Sequence, residues 1–398
     1  LKLTAGYDIS GNDNFDYDLS RTYFKSFTYL KNATALQLAN IENPAIQWET
    51  THNFNVALNG SFLNNRLQAG VDFYVRNTNN LITYKTINYM SGLKGYYTND
   101  GSLRNVGVDA KVTAIIANTK DFTFQLGASL GHYKNTITAL PEGDYIQKIY
   151  GAEVLTSVNN PAGVFYGFKT AGVFASDAEA SKAHKGSDYL KYPTGIATAP
   201  YKNFNAGDVH FVDNNGDGVI DNSDKTIIGD PNPDWSAGLN LDFAYKGFTL
   251  SMFFTGEFGF DIFNENKRQL DFMSSGNTFT NRGHDILNAW TPQNPDAKIP
   301  AVSFADNNNE KRMSTYFVED GSYVKMKYIK LGYDCPKKWC ESLGAASVNV
   351  FGQVENIFTL TGYSGLDPEL NLGVYGARVE NGAYPRSRTF TLGVNVAF

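Results

Sequence analysis

Thr389-Phe390-Thr391-Leu392-Gly393-Val394-Asn395-Val396-Ala397-Phe398 is the stretch whose reading decides the fold. Phe390, Leu392, Val394, Val396 and Phe398 share one parity; Thr391, Gly393, Asn395 and Ala397 share the other. A strand sends successive side chains to opposite faces, so one face here is wholly apolar and the other small or polar. In a soluble sandwich the apolar face is core. In a transmembrane barrel it meets lipid, while the small residues line the interior.

The same pattern recurs upstream. Phe54, Val56 and Leu58 alternate with asparagines and Ala57; Leu67, Ala69, Val71, Phe73 and Val75 alternate with Gln68, Gly70, Asp72, Tyr74 and Arg76. Equivalent runs begin at Val108, Phe122, Leu239 and Phe248, and Leu1 to Asp8 alternates as well. Each is about 10 residues long, enough for a tilted strand to cross the hydrocarbon layer. In Val324-Lys325-Met326-Lys327-Tyr328-Ile329-Lys330-Leu331 the apolar phase slips by one, which predicts a bulge.

Connection lengths separate the two readings. Short polar turns join Asn59 to Asn65, Asn118 to Asp121, Tyr245 to Gly247 and Cys335 to Ala345. Long loops run from Gly11 to Ala45, Asn77 to Leu103, Lys134 to Asp234, Gly259 to Arg312 and Thr359 to Arg386. Short and long alternate without a break, as in outer-membrane barrels with short periplasmic turns and long extracellular loops. With the first strand running outward, about ten antiparallel strands bring the last one inward, toward the periplasm.

Composition agrees. Aromatics are abundant (24 Tyr, 28 Phe, 4 Trp), which favours strands over helices. No run of about 18 apolar residues occurs, which excludes a spanning helix but not a barrel. The net charge of -6, with no basic stripe, argues against a nucleic-acid partner. The chain begins on Leu1, within a strand, and carries no signal-like leader; it reads as the C-terminal part of a longer protein. Cys335 and Cys340 lack zinc-site partners, and both a local disulfide and two free thiols stay open.

Several segments carry a family resemblance: Asn43-Pro44-Ala45-Ile46-Gln47-Trp48-Glu49-Thr50; Gly207-Asp208-Val209-His210-Phe211 with the Asp-rich loop after it; and Ile228-Gly229-Asp230-Pro231-Asn232-Pro233-Asp234. Further on come Trp290-Thr291-Pro292-Gln293-Asn294-Pro295, Val318-Glu319-Asp320-Gly321-Ser322-Tyr323-Val324, Gly365-Leu366-Asp367-Pro368-Glu369 and Tyr384-Pro385-Arg386-Ser387-Arg388-Thr389-Phe390. In this order they resemble the C-terminal part of SusC/RagA-type TonB-dependent outer-membrane transporters. The resemblance implies an all-β, antiparallel transmembrane barrel of about 22 strands with an N-terminal plug. Residues 1–398 would hold roughly its second half. It also implies a SusD-like surface lipoprotein partner, coupling to TonB through the plug portion, and import of oligosaccharides or peptides across the outer membrane of a Gram-negative bacterium.

The sharpest local signal is Asp213-Asn214-Asn215-Gly216-Asp217-Gly218-Val219-Ile220-Asp221-Asn222-Ser223-Asp224. Read as a calcium loop, it puts side-chain oxygens of Asp213, Asn215 and Asp217 at the first, third and fifth positions. Gly218 makes the sharp turn, Val219 offers its carbonyl, and Asp221 and Asp224 fill the ninth and twelfth positions. Asp stands where Glu is usual at the last position, and the preceding Val209 to Val212 is strand-like rather than helical. The expected Ca²⁺ is structural, stiffening an extracellular loop. The competing reading is an Asx-rich surface turn without metal; Asp8 to Asp13 reads as such a turn.

Loop aromatics Tyr145, Tyr150, Phe165, Tyr166, Tyr189, Tyr192 and Tyr201 could stack on a substrate or anchor their own loops and the membrane interface. The histidines His52, His132, His184, His210 and His284 fall in separate segments, and no nucleophile elbow, zinc motif or phosphate loop appears. An enzyme, even a self-contained ten-stranded one, has no specific support. Two functions remain: part of a nutrient importer, or a SusC-like structural or assembly subunit of a larger outer-membrane complex without import activity.

Overall fold

The computed structural model describes residues 1–12, 17–29, 33–87, 93, 95–181, 191–272, 281–303, 310–370 and 377–398. Its backbone is organised by ten strands: Lys2–Asn12 (β1), Glu49–Phe62 (β2), Leu67–Thr86 (β3), Gly95–Asn118 (β4), Phe122–Ala139 (β5), Trp235–Tyr245 (β6), Phe248–Phe258 (β7), Tyr323–Asp334 (β8), Ser347–Thr361 (β9) and Thr389–Ala397 (β10). They form one 10-stranded sheet in chain order, every neighbouring pair antiparallel. β1 and β10 lie at opposite edges and do not pair with each other among the described residues.

The faces are sorted as a membrane barrel requires. Outward-parity residues such as Phe54, Val71 and Phe73 in interior strands stay exposed, Val71 at 48%, and Leu392 on β10 reaches 91%. A soluble sheet would bury that row. The opposite face carries Asn59, Asp72, Asp109, Lys111, Ser129 and Ser236, which line a shallow concavity of about 540 Å³. No helix among the described residues is long and apolar enough to cross a membrane.

This sorting yields a paired test on β6. Leu239 and Asn240 are adjacent, hence at one depth, but on opposite faces. Leu239→Arg should cost about 2–4 kcal/mol in lipid if that depth is near the midplane, while Asn240→Arg stays near neutral. Urea titration in lipid vesicles reads both. Equal costs would sink the assignment of faces.

The predicted bulge is present. β8 pairs β7 through Phe253↔Tyr328 and Phe254↔Met326, so Lys327 is the extra residue. On the other side Met326 pairs Phe358 and Tyr328 pairs Glu355, with Asn356 at φ 52. Lys325 thus faces inward before the shift, and Tyr328 and Lys330 after it. The two-residue turn Lys246-Gly247 has positive φ at both positions, 48 and 90, the geometry that matches strand twist in tight hairpins.

One expected loop is instead largely strand. Asn77 to Leu103 reads as a long connection, yet β3 and β4 stay paired out to Thr86↔Gly95, with register shifts near Leu81. Asn and Thr in this stretch lower its apolar content without breaking backbone pairing, so the hairpin continues past the membrane-length segment. Most of 87–94 lies outside the described residues.

A candidate loop platform and cleft

The described parts of the long connections 140–234, 259–322 and 362–388 fold together above the long-loop end of the sheet. Tyr145–Ile149, Ala152–Thr156, Val164–Gly167 and Thr226–Gly229 form a small four-stranded sheet. Thr170–Val173 pairs Val209–Phe211, and Asp261–Asn264 lies between Val318–Asp320 and Val379–Glu380. Their shared core is aromatic: Phe165, Phe174, Phe211, Phe263 and Phe317 are wholly buried. A soluble-type core therefore sits beside a sheet whose apolar face points outward.

The quoted motifs are the joints of this platform. Gly207 has φ 84, and a Cβ there would stand 2.6 Å from Ala301 Cβ and 2.7 Å from Trp290 Cε3, so only glycine fits. Trp290 Nε1 donates to Ala175 O at 3.2 Å, next to Phe174, whose carbonyl accepts from Gly207 N at 2.8 Å. Asp230 accepts from Asn232 N and Nδ2, its carboxyl pushed up chiefly by burial, and Pro231 O accepts from Arg378 Nε at 2.9 Å. Glu319 accepts from Ser364 N at 2.9 Å and Oγ at 2.8 Å, and Lys325 contacts Asp367 and Glu369. Nearer the sheet, Glu49 accepts from Asn12 Nδ2 at 2.9 Å and from Ile82 N at 3.0 Å.

The Asp-rich loop is closed by its own bonds. Asp213 Oδ1 accepts from Gly216 N at 2.6 Å and Oδ2 from Gly218 N at 2.9 Å. Asn215 Oδ1 accepts from Asp217 N, and Asp217 Oδ1 accepts from Val219 N at 2.8 Å. Asp221 caps the short helical turn Asn222–Asp224 by accepting from Ser223 N. Asp224 is fully buried and accepts from Asn214 N at 2.8 Å and Asp221 N at 2.8 Å. Burial pushes its carboxyl up, opposed by these hydrogen bonds and assisted by the nearby Asp213 charge. The six expected ligands are thus brought into one loop, but among the described residues no three His, Cys, Asp or Glu side chains converge as a metal cage.

The expected aromatics divide by burial. Phe165 and Tyr192 are core, Tyr150 and Tyr201 are exposed, Tyr145 and Tyr166 are half-buried, and Tyr189 lies outside the described residues. So do His184 and Asp13. His52 bonds Tyr7 Oη at 2.7 Å, His132 bonds Asp234 O at 2.6 Å, and His284 opens a short helical turn.

His210 stacks on Phe174 at 4.2 Å. Burial holds its imidazole below the ordinary 6.5, with Glu179 pulling the other way. The unfolded state therefore takes up the proton first as pH drops. Platform stability from this group is present above about pH 6.5 and is lost as pH falls toward the depressed value. Amide protection over 170–173 and 209–211 should decline on acidification, and His210→Phe should remove that part of the decline. An unchanged pH profile in the variant would refute the assignment.

Sequence reasoning missed an open cleft of about 1210 Å³ between these loops, lined among others by Glu179, Asn266, Asp271, Asp285, Tyr316 and Glu380. Tyr316 Oη donates to Asp271 at 3.1 Å. Burial pushes the Asp271 carboxyl up and the Tyr316 phenol far above its usual range. Polar side chains and one ring suit hydrogen bonding and stacking. These residues come from segments far apart in the chain, so no local motif signals the cleft.

No protein-family model matches the chain. TonB-dependent receptor P3 of Formosa agariphila is 28% identical over 415 residues, covering 100% of this chain and 39% of the receptor. TonB-dependent receptor SusC of Bacteroides thetaiotaomicron is 28% identical over 408 residues, covering 100% of this chain and 37% of that protein. A solved RagAB peptide transporter matches with a TM-score of 0.77 and 25% identity, over 100% of this chain and 40% of that one. The chain therefore spans about two fifths of the length of the relatives it matches. These relatives are receptors and transporters, not enzymes, in line with the non-catalytic reading of the residues. Sequence and fold agree in one likeness: over its whole length the chain is similar to part of SusC- and RagA-type TonB-dependent transporters.

Proposed function

We propose that this chain supplies wall and loop platform to a TonB-dependent outer-membrane importer that takes up oligosaccharides or peptides together with a SusD-like surface lipoprotein. The carrying observation is full-chain similarity in sequence and fold to SusC and to the RagAB peptide transporter, on a sheet whose outward face is apolar. In this reading the platform and its cleft face the cell exterior and the short turns face the periplasm. Open edges in lipid leave backbone groups unsatisfied, so β1 and β10 take neighbouring strands from the rest of the barrel. Plug and TonB contact lie in that remainder too.

Capture of the chain from detergent-solubilised outer membranes should bring down a SusD-like lipoprotein. Disrupting its gene should abolish uptake of one oligosaccharide or peptide source, as should loss of TonB. Intact uptake, with assembly partners in place of the lipoprotein, would favour the scaffold role.

We further propose that Ca²⁺ binds the 213–224 loop through Asp213, Asn215, Asp217, the Val219 carbonyl, Asp221 and Asp224. Support comes from the spacing and from both ends of the loop already being drawn together by Asp224. Chelation, or Asp217→Ala, should raise protease cleavage within the loop several-fold. Equal cleavage with and without calcium would leave the self-capped turn as the whole account.

A further inference from the structure

We propose that Cys335 and Cys340 form a dithiol–disulfide pair that staples the turn between β8 and β9. Cys335 follows β8 directly, and its N–H donates to Val348 O at 2.9 Å, which pins it to β9. Pro336 caps the short helix Lys337–Ser342, its carbonyl accepting from Trp339 N at 2.9 Å and Cys340 N at 3.3 Å. Cys335 thus stands just before the helix cap and Cys340 is the fourth helical residue. Side chains at these two positions meet across the first turn, the arrangement that hydrophobic residues use as a staple.

Contacts agree with that placement. Cys340 Sγ lies 3.6 Å from the Cys335 carbonyl oxygen, and Cys335 packs against the buried cluster of Cys340, Ala345 and Val348. Cys340 is buried and Cys335 half-exposed, which assigns the order of reaction. The Cys335 thiolate attacks a disulfide-bearing oxidant and expels one thiol. The Cys340 thiolate then attacks the Cys335 sulfur of the mixed disulfide and expels the second. Two protein thiols become one S–S bond, and the oxidant's disulfide is reduced to two thiols that carry away the two protons.

In the outer-membrane reading this turn lies in the periplasm, a compartment where disulfides persist. The proposal rests on that reading only for the supply of oxidant in the cell; the chemistry itself is tested with purified full-length protein. The protein is treated with oxidised glutathione, alkylated with iodoacetamide, and its monomer band digested with trypsin. Lys337 and Lys338 stand between the cysteines, so cleavage parts them onto peptides 331–337 and 339–378. The expected product is these two peptides joined by a disulfide, separating on reduction. Separate peptides each bearing an alkyl group, or a glutathione adduct on either cysteine that does not resolve, would overturn the proposal. Because the oxidant is added, these outcomes do not depend on whether the barrel imports anything.

Discussion

Lys325→Ala is expected to release the segment 363–370 from the inner face of the sheet. Lys325 is 2% exposed, and its Nζ lies 3.0 Å from Asp367 Oδ2 and 2.9 Å from Glu369 Oε2. Lys327 also pairs with Glu369. Burial alone would raise the Glu369 carboxyl, yet hydrogen bonds from both lysines hold it below the usual range. Removing Lys325 leaves Asp367 without its cation and Glu369 with one of two. Breaking a buried pair from one side costs about 3–5 kcal/mol. At about 1.4 kcal/mol per tenfold, opening of the segment should rise roughly a hundredfold or more. Hydrogen exchange over 363–370 reads this directly. A change confined to the β8 backbone would mean that the clamp is not what holds the segment. At its other end Tyr363 Oη and Asn266 Nδ2 donate to the buried Glu380, so partial retention there is expected.

Phe211→Ala should have a comparable effect on a different body. Its ring is wholly buried, 5.8 Å from Phe168 edge-on and 6.3 Å from Phe204, with the Arg312 guanidinium 4.6 Å above it. Truncating a buried Phe costs about 3–5 kcal/mol through lost transfer energy and the cavity left behind. Protection should fall across the platform strands between 152 and 229 while β4 and β5 keep theirs. β4 and β5 are held by their own strand pairing, to which Phe211 does not contribute. Simultaneous loss of protection in β4 and β5 would show platform and sheet to be one cooperative unit.

The strands were legible because period-two alternation is local. Phe390 to Phe398 and Leu67 to Arg76 each declare two faces within ten or so residues, and the slip at Lys327 declared its bulge in the same way. Reading polar Asn and Thr after Asn77 as loop failed for a physical reason: backbone pairing in a hairpin needs no apolar face to continue. In the platform, spacing within 213–224 located an Asx-rich loop whose carboxylates do cap their own backbone. It could not find the Lys325–Asp367 pair, the Arg378 bond to Pro231 or the Tyr316–Asp271 contact, whose partners stand tens to more than a hundred residues apart.

By itself the sequence determined which face of each strand in the large sheet is apolar, that this sheet has ten strands and where its short turns fall. These follow from side-chain alternation and turn chemistry, which act over a few residues. The alternation of short and long connections already pointed to an outward apolar face, and the tertiary structure displays it directly. Exposed Val71 and Leu392 show it by geometry, because the polar side chains occupy the concave face. Only the tertiary structure joined the long loops into a platform with its own aromatic core and a cleft. Loop closure over such separations is set by packing and ion pairs that no local pattern encodes.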